Sequence, residues 1–446
     1  MSDPDFSSFT VGFVTLGCKV NQYESEAISE RFAAEGFSLS HTPDDCDITV
    51  VNTCTVTAES DRKARQMIRR AILHNPNAYI LVTGCLAQTS PEQISSIAGV
   101  DFICGNTDKQ AVVEAAKRLV RQGHKNACPE VLHRPTDGNG FEEMVISRFD
   151  RTRAYIKIED GCENHCAYCI IPAARGPVRS KRPEAVLEEV RALVDGGCRE
   201  VVLTGIETAS YGRDLDGFGL ADLLTLIDTV DGLERVRLGS LDPSLMKQEF
   251  VDRIAGLRTL TPHFHLSMQS GSDTVLARMR RKYNSRMALE GMERLRRALP
   301  TVQFTTDMIV GFPRETDAEF AETLAFAEQA RFLMIHVFRY SRRKGTPAAE
   351  MPGQVPESVK AERSRTLSEV EAGIRKEILD SMTGTVHPVL FEDAEGGRRF
   401  GHTPEFLEVS VSADGTEHGT VRQVRITGND GTVCSGTVLP EKENKT

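Results

Sequence analysis

Residues 158–176 read IEDGCENHCAYCIIPAARG. Cys162, Cys166 and Cys169 stand there in C-x3-C-x2-C spacing, in the loop after AYIKIE (154–159), whose composition predicts a strand. Three thiols this close can wrap one face of a cuboidal iron–sulfur cluster, because soft sulfur ligands suit iron held by inorganic sulfide. With three protein ligands, one iron of a four-iron cluster stays open and can bind a small molecule. A structural zinc site pairs its ligands two and two, and no second pair follows nearby, so the spacing favours iron–sulfur.

Downstream, EVVLTG (200–205), RVRLGS (235–240), HFHLSM (263–268), FTTDMIVG (304–311) and MIHVF (334–338) predict further strands, separated by helical patterns such as PEAVLEEVRALVDGG. Six such units predict a partial (β/α)6 barrel over 148–380, with its site at the carboxyl ends of the strands. A long polar helix, about 356–380, closes this part. Upstream, 9–122 alternates VGFVTLG, DITVVNT, AYILVTG and DFICG with helical runs, the pattern of a Rossmann-like parallel sheet. Residues 123–147 read as an irregular linker. Over 381–446, alternating runs split by glycines predict a small all-β barrel. The fold class is α/β with this β appendage.

Composition narrows the function. At 446 residues, 40% hydrophobic and 26% charged, the chain reads as a globular protein of several domains. No apolar run approaches the ~18 residues of a membrane span, and MSDPDFSS does not resemble a signal peptide. Membrane and secreted classes are therefore excluded and a cytoplasmic location is expected. A net charge of −10 argues against indiscriminate nucleic-acid binding but leaves room for a local basic patch. Eleven cysteines without an export signal point to metal ligands or reactive thiols rather than disulfides. Cys18, Cys54 and Cys85 each follow a predicted parallel strand, as VTLGC, VVNTC and LVTGC, and such loops converge on one crevice. A second cluster is expected there, with Cys104 in DFICGN as a topological competitor. Cys46, Cys128, Cys198 and Cys434 read as structural thiols.

The central triplet resembles the signature of radical S-adenosylmethionine enzymes, and the two triplets together resemble the methylthiotransferase family over essentially the whole chain. That resemblance implies two [4Fe-4S] clusters, held by Cys162, Cys166 and Cys169 and by Cys18, Cys54 and Cys85, and a carboxy-terminal TRAM barrel. It implies S-adenosylmethionine chelated by the open iron and cleaved by one electron to a deoxyadenosyl radical. VTLGCKVNQYESE, PHFHLSMQSGSDTVLARMRRKY and HVFRYSRRKGTPAA resemble the branch that methylthiolates N6-threonylcarbamoyladenosine in tRNA. The alternatives are isopentenyladenosine or a ribosomal-protein aspartate as substrate and, from another class, a non-catalytic iron–sulfur sensor that binds RNA. Ala173, Glu207, Thr208 and Arg314 depart from the branch's usual residues.

By resemblance, S-adenosylmethionine contacts are expected from Glu207, Gln269, Ser270, Asp307 and Gly311. Basic runs near strand ends suggest a phosphate-binding rim that includes Arg65, Arg69, Arg179, Arg182, Arg281, Lys282, Arg342 and Arg343. The expected partners are tRNA and a reductant such as a flavodoxin or ferredoxin system, with the sulfur donor unnamed. The tail 381–446 carries six Lys and Arg against ten Asp and Glu, so an RNA contact there would be confined to a patch.

Overall fold

A computed structural model describes residues 5–138, 140–149 and 151–440. The start of MSDPDFSS, two positions near the linker and the last six residues of the expected tail domain lie outside them.

Long β-branched runs build the amino-terminal sheet. Its order is Ser38–Ser40, Thr10–Thr15, Ile48–Thr53, Tyr79–Gly84, Phe102–Cys104, Glu130–Leu132, all parallel. Ile48–Thr53 and Tyr79–Gly84 are buried at every position, as strands covered on both faces must be. Two edge strands were not expected. Glu130–Leu132 falls inside the stretch read as linker. It is too short for alternation to reveal, yet its pairing from Phe102↔Glu130 to Cys104↔Leu132 extends the sheet.

The central part is an open barrel of parallel strands: Ala154–Lys157, Glu200–Thr204, Arg235–Leu238 with Ser240–Leu241, His263–Gln269, Gln303–Val310 and Met334–Arg339. Gly239 interrupts the third, where a Cβ would meet the Leu203 carbonyl at 3.1 Å. Ala154–Lys157 and Met334–Arg339 do not pair, so the barrel stays open on one side. The helix Lys19–Ala34 of the amino-terminal part packs against Ala154–Lys157. Thr316 and Glu319 form a capping box that fixes where Asp317–Ala330 starts.

The helix Glu357–Met382 leads into a closed five-stranded barrel around Val389, Phe391, Val409, Val411, Val424 and Ile426. Arg235 docks it, donating to the His402 and Pro388 carbonyls at 3.0 and 2.9 Å, while Arg237 donates to Pro404 at 3.1 Å. Buried Glu200 balances these cations, 2.8 Å from Arg237 and 2.9 Å from Arg153. The Rossmann-like sheet, partial barrel and small β-barrel agree with the sequence reading. Among the described residues no helix is long and apolar enough to cross a membrane.

Candidate active site

Strand ends bring the amino-terminal cysteines together. Cys18 is the N-cap of Lys19–Ala34, Cys54 follows Ile48–Thr53, and Cys85 opens the helix Cys85–Thr89 behind Gly84. Gly17 has φ 107, and a Cβ on it would sit 3.0 Å from Cys54 Sγ. Glycine beside Cys18 thus lets Cys54 close in. Cys18, Cys54 and Cys85 act on one another electrostatically. Cys104 turns elsewhere, its thiol donating to the Thr107 and Asp108 carbonyls at 3.6 and 3.4 Å.

The central triplet sits in the loop above Ala154–Lys157. The Cys169 N–H donates to the Cys166 carbonyl at 3.0 Å, and the Ile171 N–H donates to Cys169 Sγ at 3.4 Å. Arg281 donates to Cys166 Sγ at 3.1 Å, with its other nitrogen 2.9 Å from Asp242. Burial pushes the Cys54 thiol up to about 11, and those of Cys162 and Cys169 up to about 12. Thiols so placed ionise when a metal replaces the lost water, because a coordinating metal deprotonates them outright.

The two triplets share a seam. Cys85 lies within electrostatic reach of Cys169, and Cys85–Thr89 packs on the helix Ile171–Arg175. Asn106 donates to Cys85 Sγ at 3.4 Å and to the Ala174 carbonyl at 2.8 Å. Arg175 is wholly buried and donates to Asn21 and Glu24 at 2.7 Å and to Asp160 at 3.0 Å. Lys109 and Lys157 complete the cage around Glu24. Their counter-charges hold the carboxylates of Glu24 and Asp160 well below the usual range against the opposing effect of burial. Sequence reasoning gave none of these residues a structural role, although Asn21, Glu24, Asp160 and Arg175 all stand inside the cysteine phrases it quoted.

Of the residues expected at S-adenosylmethionine, Glu207 stands beside the central loop. Asn164 donates to its Oε2 at 3.0 Å, while Oε1 is buried without a partner. Burial, with the Asp242 carboxylate adding to it, pushes Glu207 up to about 7. An orphaned acceptor next to three soft donors suits an ammonium-bearing molecule held at an iron–sulfur cluster. Gln269 ends its strand with φ 65. Ser270 is buried against Thr323 at 3.2 Å. Gly311 donates to Glu315 at 2.6 Å; its φ is 72, and a Cβ there would meet Lys360 Cγ at 2.3 Å, so backbone conformation and packing both call for glycine. Asp307 lies 3.3 Å from His265 and close to His336.

The basic runs divide. Arg69, Arg182, Lys282 and Arg342 are exposed, and Arg65 is half-buried and donates to Gln93 at 3.0 Å. Three of the expected RNA contacts are engaged inside the protein. Arg179 is buried, donating to the carbonyls of Thr136 and Arg175. Arg281 is spent on Cys166 and Asp242, and Arg343 on Asp61 and Thr55. The three side chains are a tenth exposed or less.

Residues 156–327 match the family described as "Radical SAM superfamily", and residues 10–105 match "Uncharacterized protein family UPF0004". The threonylcarbamoyladenosine tRNA methylthiotransferase MtaB of Bacillus subtilis (strain 168) is 40% identical across 94% of this chain and 93% of its own length. The chain belongs to the radical S-adenosylmethionine methylthiotransferases. Another relative of this methylthiotransferase, the tRNA-2-methylthio-N(6)-dimethylallyladenosine synthase of Carboxydothermus hydrogenoformans, is 36% identical across 85% of this chain and 87% of its own. Among solved structures, the radical S-adenosylmethionine methyltransferase TsrM from Kitasatospora setae, with cobalamin and a [4Fe-4S] cluster bound, shares the fold. Its TM-score is 0.56 at 14% identity, covering 88% of this chain and 80% of that one.

Proposed function

We propose that this methylthiotransferase converts N6-threonylcarbamoyladenosine at position 37 of tRNA to its 2-methylthio derivative. The observation that carries the reading is the seam between the two cysteine loops, where Asn106 donates both to Cys85 Sγ and to the Ala174 carbonyl beyond Cys169. The 40% identity to the threonylcarbamoyl relative across 94% of this chain supports the choice of branch.

Cys162, Cys166 and Cys169 would hold one [4Fe-4S] cluster with S-adenosylmethionine, and Cys18, Cys54 and Cys85 a second. When bound, these groups supply the one-electron chemistry that replaces the C2 hydrogen of the base with a methylthio group. The chain's own residues do the rest. Glu207 offers Oε1 to the methionyl ammonium, and Arg281 holds Cys166 in place. The Arg175–Glu24–Asp160 network fixes the spacing of the two loops. The base must come unstacked from a single-stranded loop for its C2 to reach the site. Exposed Arg69, Arg182, Lys282 and Arg342 are the phosphate contacts proposed for that loop and its stem. The reaction takes place in the cytoplasm, with electrons from a flavodoxin or ferredoxin system.

Mass spectrometry of nucleosides from total tRNA, with and without the gene in its host, tests the reading. Loss of the 2-methylthio form with accumulation of its threonylcarbamoyl parent is expected. Persistence of that nucleoside with loss of 2-methylthio-isopentenyladenosine would move the chain to the other branch.

A further inference from the structure

Three neighbouring strands of the open barrel, His263–Gln269, Gln303–Val310 and Met334–Arg339, present two different faces. Phe264, Leu266, Phe304, Met308 and Ile335 point into the hydrophobic core. The residues between them therefore face the other side of the sheet, into the barrel. On that inner face Thr305 stands beside His265, and Asp307 beside His336.

His265, Asp307 and His336 each offer a nitrogen or a carboxylate oxygen, and the three atoms lie within 4.8 Å of one another. His265 Nε2 is 3.3 Å from Asp307 Oδ2. Two ligands of one tetrahedral ion, each at ~2.0–2.1 Å from it, stand about 3.3–3.4 Å apart. This edge already has the length that a shared ion needs. An ordinary hydrogen bond would account for His265 and Asp307 alone, whereas His336 converges on them from the next strand. Two imidazoles and a carboxylate form a donor set that suits a divalent ion such as zinc.

The site also has an outer support. Thr305 Oγ1 lies 2.9 Å from His265 Nδ1 and 3.0 Å from His263 Nε2. His265 is thus held by its far nitrogen while Nε2 is turned to Asp307, the arrangement that fixes ring and tautomer in a metal-bound imidazole. His263 is buried and stacks on Phe406 of the small β-barrel, with ring centroids 4.7 Å apart. The His265 and Asp307 side chains keep 15% and 29% of their exposure, and His336 is exposed, so an ion can enter from water.

We propose that His265, Asp307 and His336 bind one divalent transition-metal ion, zinc or a close analogue, on the inner face of the barrel and without a cysteine ligand. Three protein ligands leave a position open for water or for an oxygen of a bound molecule. Asp307, expected by resemblance at S-adenosylmethionine, serves as a ligand of this ion. The site does not depend on which base is modified.

The test uses the full chain with both clusters filled, so that neither cysteine triplet is free to take the probe, which is zinc chloride alone. Zinc and iron are measured after desalting, and zinc affinity is measured by competition with a chelator. The unaltered protein should retain about one zinc per chain beyond its cluster iron. Thr305→Val, which removes only the outer partner of His265, should weaken zinc binding about 10–100-fold. His336→Gln, a change at an exposed side chain, and Asp307→Asn should weaken it at least as much, with iron content unchanged. Zinc retention no greater than that of His336→Gln, or equal affinity in all four proteins, overturns the proposal. Zinc that appears only as iron is lost belongs to vacated thiols and overturns it as well.

Discussion

The Arg175 guanidinium lies 2.7 Å from a carboxylate oxygen of Glu24, although 151 residues separate the two in sequence. Glu24 stands on the helix that starts at Cys18, and Arg175 ends the short helix after Cys169. This ion pair therefore joins the backbone of one cysteine loop to that of the other. Both side chains are wholly buried, and each charge is offset by others, Glu24 by Lys109 and Lys157, Arg175 by Asp160. Arg175→Met should lower the free energy of unfolding by about 1.5–3 kcal/mol, because Glu24 and Asp160 keep their lysine partners but lose charge-assisted bonds. Urea unfolding followed by circular dichroism checks this. A loss below about 1 kcal/mol, the range of an exposed pair, would contradict the assignment.

The two triplets should separate by function. Cys162→Ala, Cys166→Ala or Cys169→Ala should abolish formation of 5′-deoxyadenosine from S-adenosylmethionine. Cys18→Ala or Cys85→Ala should leave that cleavage but stop methylthiolation, and either class should about halve bound iron if each triplet holds one four-iron cluster. Cys104→Ala should do neither, because its thiol is bonded to its own loop. The measurements are iron content, deoxyadenosine yield and product yield. Product from a Cys18→Ala enzyme would sink the division of roles.

What could be read from the sequence was whatever repeats at short range. Strand runs ending in Cys18, Cys54 and Cys85 announced a shared crevice, and the structure assembles those residues there. The strand Glu130–Leu132 did not show, because three residues carry no period. The inward engagement of Arg179, Arg281 and Arg343 did not show for a related reason. A run of basic residues shows charge but not direction: in the loop after Met334–Arg339, Arg342 is exposed and Arg343 buried. The Glu24–Arg175 pair joins two helices far apart in sequence, and no local window contains both partners.

Arg281 should tune the cluster held by the central triplet and should not bind RNA. An N–H donated to a ligating sulfur favours the reduced, more negative state and raises the reduction potential. Arg281→Met should lower the potential by about 60 mV, a tenfold change in the one-electron equilibrium, while tRNA affinity stays the same. A redox titration followed by electron paramagnetic resonance, paired with filter binding of tRNA, reads both. Weaker tRNA binding at an unchanged potential would return Arg281 to the RNA-binding rim.

The exposed cations should carry the salt dependence of tRNA binding. Replacing Arg69, Arg182, Lys282 and Arg342 by glutamine together should flatten the slope of log K against log salt by about 3, at ~0.7–0.9 for each phosphate no longer neutralised. Arg343→Gln should leave the slope alone, since its guanidinium is held by Asp61 and Thr55 inside the protein. Binding isotherms at several salt concentrations provide the slopes. A flattened slope in Arg343→Gln would show that the loop opens when RNA arrives.

Glu200 ties the acid stability of the molecule to the contact between the open barrel and the small β-barrel. Burial alone would raise its pKa, but Arg237, Arg153 and Arg235 outweigh burial and hold it at about 2, against an ordinary value of 4.5. A pKa lowered by folding means that the folded protein binds this proton more weakly than the unfolded chain does. The carboxylate's contribution is therefore complete above about pH 4.5 and disappears as pH falls through about 2. Glu200→Gln removes that contribution at every pH and leaves three arginines without their shared counter-charge, so at pH 7 it should be less stable by a few kcal/mol. Other carboxylates titrate alike in both proteins and cancel in the comparison. The stability gap between unaltered protein and Glu200→Gln, from urea unfolding at successive pH values, should stay constant from pH 7 to 5 and narrow below that. A gap that does not change with pH would mean that Glu200 has the same pKa in the folded and unfolded chain, so that the arginines do not hold it down.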